Sequence, residues 1–129
     1  MFRSNDRGAA AVEFALVLPL LVALVLGVAE FGRAYNTQTT LSGAARDAVR
    51  VMALQNDPAA ARAAARAAAA PVVALTDGEI SVTPTSCATT ATTPTATATV
   101  TITYGMNLML FPDDVAVTLT GKGTMRCNG

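Results

Sequence analysis

The chain has 129 residues, which is enough for one small folded domain and too few for two. Nine basic and nine acidic residues give a net charge of zero, so the overall charge does not favour nucleic acid or an anionic lipid surface as the main partner. Hydrophobic residues make up 52% of the chain and charged residues only 14%, which is too apolar for an ordinary soluble domain of this size. The lack of histidine removes the commonest general base and metal ligand.

One N-terminal segment carries much of the apolar excess. The 21 residues from Ala9 to Ala29 contain a single charge, Glu13. As a helix they would be about 31 Å long, which matches the ~30 Å hydrocarbon core of a bilayer. So small a chain could hardly wrap such a rod on all sides, so the pattern predicts a transmembrane helix rather than a buried soluble one. Arg3 and Arg7 precede it and, by the positive-inside rule, predict a cytoplasmic N-terminus and export of the residues after Ala29.

The acidic residue inside the span lies within a recognisable motif. Alone, Glu13 is equally well explained as an interfacial acid near the cytoplasmic edge, where burial of a charge costs less. Residues 7–14, Arg-Gly-Ala-Ala-Ala-Val-Glu-Phe, resemble the prepilin peptidase signature: a basic leader, a glycine at the cut, a glutamate fifth after it and then a hydrophobic helix. The resemblance implies cleavage between Gly8 and Ala9, with residues 1–8 as a cytoplasmic leader. It also implies that Glu13 of one subunit pairs with the new α-amino group of Ala9 in another.

Two other fates of the N-terminus stay open. Gly27-Val28-Ala29 followed by Glu30 fits the small-x-small rule of an ordinary signal peptidase, which would release residues 30–129 as a secreted binding domain. The charge of Glu13 and the length of the apolar run argue against that cut. The chain would otherwise remain an unprocessed single-pass anchor that carries a periplasmic domain.

The helical pattern continues after the span, through residues 30–56. One apolar stripe recurs at spacings of four, three and four residues: Leu41, Ala45, Ala48 and Met52. This periodicity predicts a helix from about residue 9 to about residue 55 whose stripe packs on the chain's own sheet.

Two sequence blocks in this region narrow the resemblance to one family. Residues 30–33, Glu-Phe-Gly-Arg, and residues 44–50, Ala-Ala-Arg-Asp-Ala-Val-Arg, look like the blocks found in TadE-like proteins, the minor pseudopilins of tight-adherence (Flp) pilus systems. The similarity covers about residues 7–53. It implies a role in pilus biogenesis and surface adhesion, with a prepilin peptidase, other pilins and pseudopilins, and pilus assembly platform proteins as partners. The implied location is the bacterial inner membrane in contact with lipid, with the C-terminal domain in the periplasm or in an extracellular pilus.

The remaining residues, 57–129, are predicted to form the exported domain, of the α+β class. Asp57-Pro58 is typical of a helix start, and the alanine-rich residues 59–70 then form a short helix. Its two arginines, Arg62 and Arg66, are expected to be solvated charges.

Period-two alternation then predicts a small antiparallel sheet of about three strands. The strands centre on residues 80–82, 98–104 and 115–119, and the helix stripe covers one face of the sheet. The threonine-rich residues 83–95 are expected to form a loop that is open to modification.

The two cysteines follow the first and the last predicted strand. If those strand ends are adjacent, Cys87 and Cys127 would form a disulfide that closes a loop of about 40 residues in an oxidising compartment. Asp113-Asp114 indicates a turn, with weak calcium binding as the minor alternative. No histidine can activate a serine or cysteine and no glycine-rich phosphate loop is present, so we expect neither enzymatic activity nor a cofactor.

Overall fold

The computed structural model describes residues 4–87, 96–109 and 115–127. In these ranges the chain forms, in order, α1 (Ser4–Gln55), α2 (Pro58–Ala69), a 3-10 turn (Asp77–Glu79), β1 (Ile80–Thr83), β2 (Thr97–Asn107) and β3 (Ala116–Arg126). The predicted α+β class, with a long helix, a short helix and a three-stranded antiparallel sheet, is confirmed. The predicted turn at Asp113-Asp114 and residues 88–95 of the threonine-rich loop lie outside the described residues.

The first helix is continuous over 52 residues, or about 78 Å. It begins at Ser4, so the described residues of the predicted leader are helical as well. Pro19 lies inside the helix without ending it. The helix ends as predicted at Gln55, because Asn56 adopts a left-handed backbone conformation with a φ of 52°. The Asn56 amide still donates to the carbonyl of Met52 at 2.9 Å.

The second helix packs against α1 through its smallest side chains. Asp57 caps its first turn by accepting hydrogen bonds from two backbone amides. Three alanines spaced one turn apart are fully buried: Ala61, Ala65 and Ala69. The two arginines do more than the predicted solvation: Arg66 pairs with Asp77, and Arg62 Nε donates to the Ile80 carbonyl at 3.4 Å. They tie α2 to β1 and to the turn before it.

The sheet has the order β1-β2-β3, with antiparallel pairing throughout. Ile102 at its centre pairs with Ile80 on one side and with Gly121 on the other. Because residues that pair directly across neighbouring strands point to the same side, these positions share one face of the sheet. The predicted α1 stripe covers this face, and all four of its members are fully buried: Leu41, Ala45, Ala48 and Met52.

The third strand is longer than predicted, and its closest approach to α1 lies beyond the predicted segment. Val117 lies on the same face as Gly121 and Gly123, as the alternation predicts, but it is 38% exposed, and Val115, directly before the strand, is 40% exposed. The strand continues to Arg126, and the contact with α1 is made by Gly121 and Gly123. A Cβ atom added to Gly121 would lie 2.5 Å from the carbonyl carbon of Leu41, and one added to Gly123 would lie 2.6 Å from the carbonyl oxygen of Ala45. The sheet therefore touches the helix backbone to backbone, an approach that only glycine permits.

Candidate membrane and assembly region

The N-terminal half of α1 carries a long run of exposed apolar side chains. Residues 6–29 are exposed throughout. The most apolar stretch of 18 residues has a mean hydropathy of 2.6, and none of it is buried. Side chains such as Leu16 and Leu20, both 73% exposed, form an apolar surface. Contact of this surface with water is unfavourable, so lipid or other helices are expected to cover it. Within the described residues, α1 is the one helix long and apolar enough to cross a membrane, so it is the candidate anchor.

The residues predicted to take part in processing and assembly lie together on this free end. Gly8, Ala9 and Glu13 are all helical and exposed. A Cβ atom added to Gly8 would meet nothing within 4 Å, so packing inside the chain does not require glycine here. Ala9 and Glu13 are four residues apart and therefore lie on one helix face, about 6 Å apart along the axis. Cleavage after Gly8 and pairing of Glu13 with Ala9 stay predictions.

A polar junction directly after the span was not predicted. Glu30 Oε2 forms an ion pair with Arg33 Nη2 at 2.9 Å, and the same Nη2 atom donates to the carbonyl of Asn107 at 2.7 Å. Glu30 Oε1 accepts a hydrogen bond from the Met109 amide at 3.2 Å. These contacts fix the β2–β3 hairpin to α1 within a turn of the end of the span. A charge pair at i,i+3 spacing directly after the apolar run was the available sequence signal, but it does not reveal the strand partner.

The two cysteines meet at the opposite end of the domain. Cys87 and Cys127 form a disulfide, with their Cα atoms 5.5 Å apart. The Cys127 amide donates to the carbonyl of Ala96 at 2.9 Å, and the Cys87 amide donates to the side-chain oxygen of Asn56. The disulfide thus links the segment after β1 to the end of β3, and the residue that ends α1 holds the same segment.

The acidic and cysteine side chains of the described residues are too dispersed to form a metal-binding cluster. In the ranges 4–87, 96–109 and 115–127, no three histidine, cysteine, aspartate or glutamate side chains lie close enough together to hold a metal ion. An open groove on α1 is lined by Val17, Leu20, Leu21 and Leu24, which bring no polar side chain to it. The groove belongs to the apolar span and suits lipid or a neighbouring helix.

Comparison with known proteins bears on the N-terminal part of the chain. The model of the family described as TadE-like protein matches residues 8–50, about a third of the chain. No curated protein and no solved structure gives a significant match. The matched range runs from Gly8 through both sequence blocks described above, and its family suggests a connection with tight-adherence (Flp) pilus systems. Residues 8–50, most of the long helix that carries the candidate anchor, are therefore similar to the TadE-like family, as their motifs predicted.

Proposed function

We propose that the chain is a minor pseudopilin of a tight-adherence (Flp) pilus system, which supports pilus biogenesis and surface adhesion and is not an enzyme. The observation that best supports this proposal is the exposed apolar half of α1. It begins with Gly8, Ala9 and Glu13 and lies within residues 8–50, which match the TadE-like family model. Such a helix serves as a membrane anchor before assembly and as a packing surface among other pilins afterwards. Its N-terminus lies in the cytoplasm and the domain after Ala29 in the periplasm.

The first step in this proposal is cleavage after Gly8 by a prepilin peptidase. The backbone at Gly8 is exposed and carries no side chain, so an enzyme can approach it closely. Cleavage removes the basic leader and leaves a new α-amino group on Ala9 at the cytoplasmic edge of the membrane.

The second step is assembly, in which Glu13 of one subunit pairs with the α-amino group that cleavage exposes on Ala9 of another. A charged side chain at the centre of the bilayer costs roughly 2.5–3.5 kcal/mol on insertion scales, and less near the edge, where Glu13 lies. Pairing Glu13 with the Ala9 amine of a neighbouring subunit offsets that cost for both charges. A neighbour displaced along the helix axis would leave both groups unpaired, so the pair selects one register. Pilus assembly platform proteins would add the processed subunit to the structure.

N-terminal sequencing of the protein recovered from bacterial cells tests the processing step. We expect Ala9 as the first residue, because the peptidase cuts after Gly8. Met1 would indicate an unprocessed anchor, and Glu30 would indicate a secreted domain and contradict the proposal. Gly8→Leu and Gly27→Leu form a matched pair, since both glycines are helical and have open space around them. Gly8→Leu should retain Met1 while Gly27→Leu still yields Ala9. With an ordinary signal peptidase, Gly27→Leu would instead retain Met1 and Gly8→Leu would begin at Glu30.

The assembly step is tested by Glu13→Gln, which removes the charge and nearly keeps the side-chain size. We expect this variant to begin at Ala9, as the native protein does, but to be missing from sheared pilus fractions. Glu13→Asp keeps the charge and should retain at least part of the incorporation. Normal incorporation of Glu13→Gln would remove the charge-pairing mechanism while leaving the cleavage proposal intact.

A further inference from the structure

The hairpin tip, defined here as Met109 after β2 and Val115 before β3, lies at the level where the apolar span ends. The span ends at Ala29, and the next residue, Glu30, accepts a hydrogen bond from the Met109 amide. One turn further along α1, Arg33 donates to the carbonyl of Asn107. Two separate contacts therefore set the height of the hairpin tip relative to the membrane.

The direction of the strands brings this tip to the membrane side of the domain. Gln38 Nε2 donates to the carbonyl of Thr120, and three residues along β3 toward its C-terminus the contact with α1 has moved to Ala45, against Gly123. β3 thus runs away from the span in the same direction as α1. Its first residue, Ala116, pairs with the last residue of β2, Asn107, so both lie at the end of the sheet nearest the span.

The membrane side of the domain exposes apolar side chains that its own core does not use. At the hairpin tip Met109 is 79% exposed, and Val115 and Val117 are 40% and 38% exposed. On α1, Phe31 and Tyr35 are 74% and 67% exposed and lie one turn apart on one helix face. Tyrosine, like tryptophan, is enriched at the boundary between lipid and water, where its apolar ring and its polar hydroxyl are both accommodated, and the ring of Phe31 adds apolar area beside it.

We propose that these five residues form a belt in the interfacial layer of the outer leaflet, so that the hairpin tip is a second membrane contact. The interfacial layer is about 5–8 Å thick on each side of the hydrocarbon core. The helix rises by about 7.5 Å over the five steps from Glu30 to Tyr35, so the belt and the layer have about the same height. We propose that these side chains contact lipid rather than another protein, because the end of the span sets the level of the belt. The proposal rests on the proposed membrane insertion of α1, but neither on cleavage nor on assembly.

The lack of tryptophan in the chain makes single-tryptophan variants a direct test. The full chain would be placed in nanodiscs of phosphatidylcholine and phosphatidylglycerol, at one copy per disc, with or without lipids brominated near the headgroup end of their acyl chains. We expect the emission of Met109→Trp to shift to shorter wavelength and to lose intensity with brominated lipid. Leu21→Trp, within the span, should also be quenched and reports on insertion. Leu54→Trp is the matched control, because Leu54 is also apolar and exposed but lies about 36 Å beyond Glu30 along α1.

The possible outcomes separate this proposal from membrane insertion itself. Quenching of Met109→Trp and Leu21→Trp but not of Leu54→Trp supports the belt. Quenching of Leu21→Trp alone overturns the belt and leaves the anchor in place, whereas quenching of neither overturns both. A shift of the Met109→Trp emission that grows with the number of copies per disc, without quenching by brominated lipid, assigns the tip to a second copy and overturns the lipid contact. Met109 is exposed, so unchanged circular dichroism is expected and would show that each variant keeps its fold.

Discussion

Replacing Gly121 or Gly123 with alanine is expected to destabilise the domain by about 3 kcal/mol, at or above the upper part of the range for overpacked cores. The added methyl group would lie 2.5 Å from the Leu41 backbone at position 121 and 2.6 Å from the Ala45 backbone at position 123. Backbone atoms inside a continuous helix cannot rotate away as a side chain would, so β3 has to move outward. The change should appear as a lower midpoint of thermal unfolding, followed by circular dichroism of the full chain in detergent.

Gly105→Ala provides the matched control for this effect. Gly105 lies on the neighbouring strand β2, and a Cβ atom added there would meet nothing within 4 Å. Its replacement should change the free energy of unfolding by only about 0.5 kcal/mol or less. Equal stabilities of the Gly105, Gly121 and Gly123 variants would show that β3 does not approach the helix as closely as described here.

Removal of the disulfide by the double substitution Cys87→Ser and Cys127→Ser should lower the free energy of unfolding by about 4 kcal/mol in the chain-entropy model. The bond closes a loop between residues separated by 40 positions, and without it the unfolded chain gains conformational freedom. This is a large share of the 5–15 kcal/mol typical of a domain, and the core here contains many alanines, which bury little apolar area.

A reductant separates the effect of the disulfide from any effect of the serine side chains. Reduction should lower the unfolding midpoint of the native chain and leave that of the double variant unchanged. A native chain with the same midpoint in oxidising and reducing buffer would contradict a stabilising role for this bond.

Much of the fold follows from patterns that are local in sequence. The α1 stripe and the position where the helix ends were predicted because helical periodicity persists over several turns up to Gln55. The alternation of Val117 and Leu119 identified the covered face of β3, because Gly121 and Gly123 continue the same face, but it did not show how far the strand extends. Gly121 and Gly123 make the closest contacts with α1, yet they contribute no side chain that a hydropathy pattern can detect.

In the candidate site, too, the residues that the sequence pointed to are close together along the chain, and the contacts that it missed join distant residues. Gly8 and Glu13 were identified from a short motif whose members lie within one or two helical turns. The junction after the span was missed, since Glu30 and its partner Met109 are separated by 79 positions, and a backbone amide can be supplied by any residue except proline. Only the register of β2 with β3 and the packing of β3 on α1 bring that amide to the carboxylate.

The continuity of α1 has a mechanical consequence. From Glu30 to Gln55 the helix is the central support of the domain, clamped near the membrane by the hairpin, in the middle by the glycine contacts and at the far end by Asn56. No flexible linker separates this support from the span, so the domain cannot swivel freely as it would on a glycine- and serine-rich tether. A rotation of the outer part of the span about its own axis therefore turns the domain by the same angle. The azimuth of α1 in the membrane decides which side of the domain faces a neighbouring subunit.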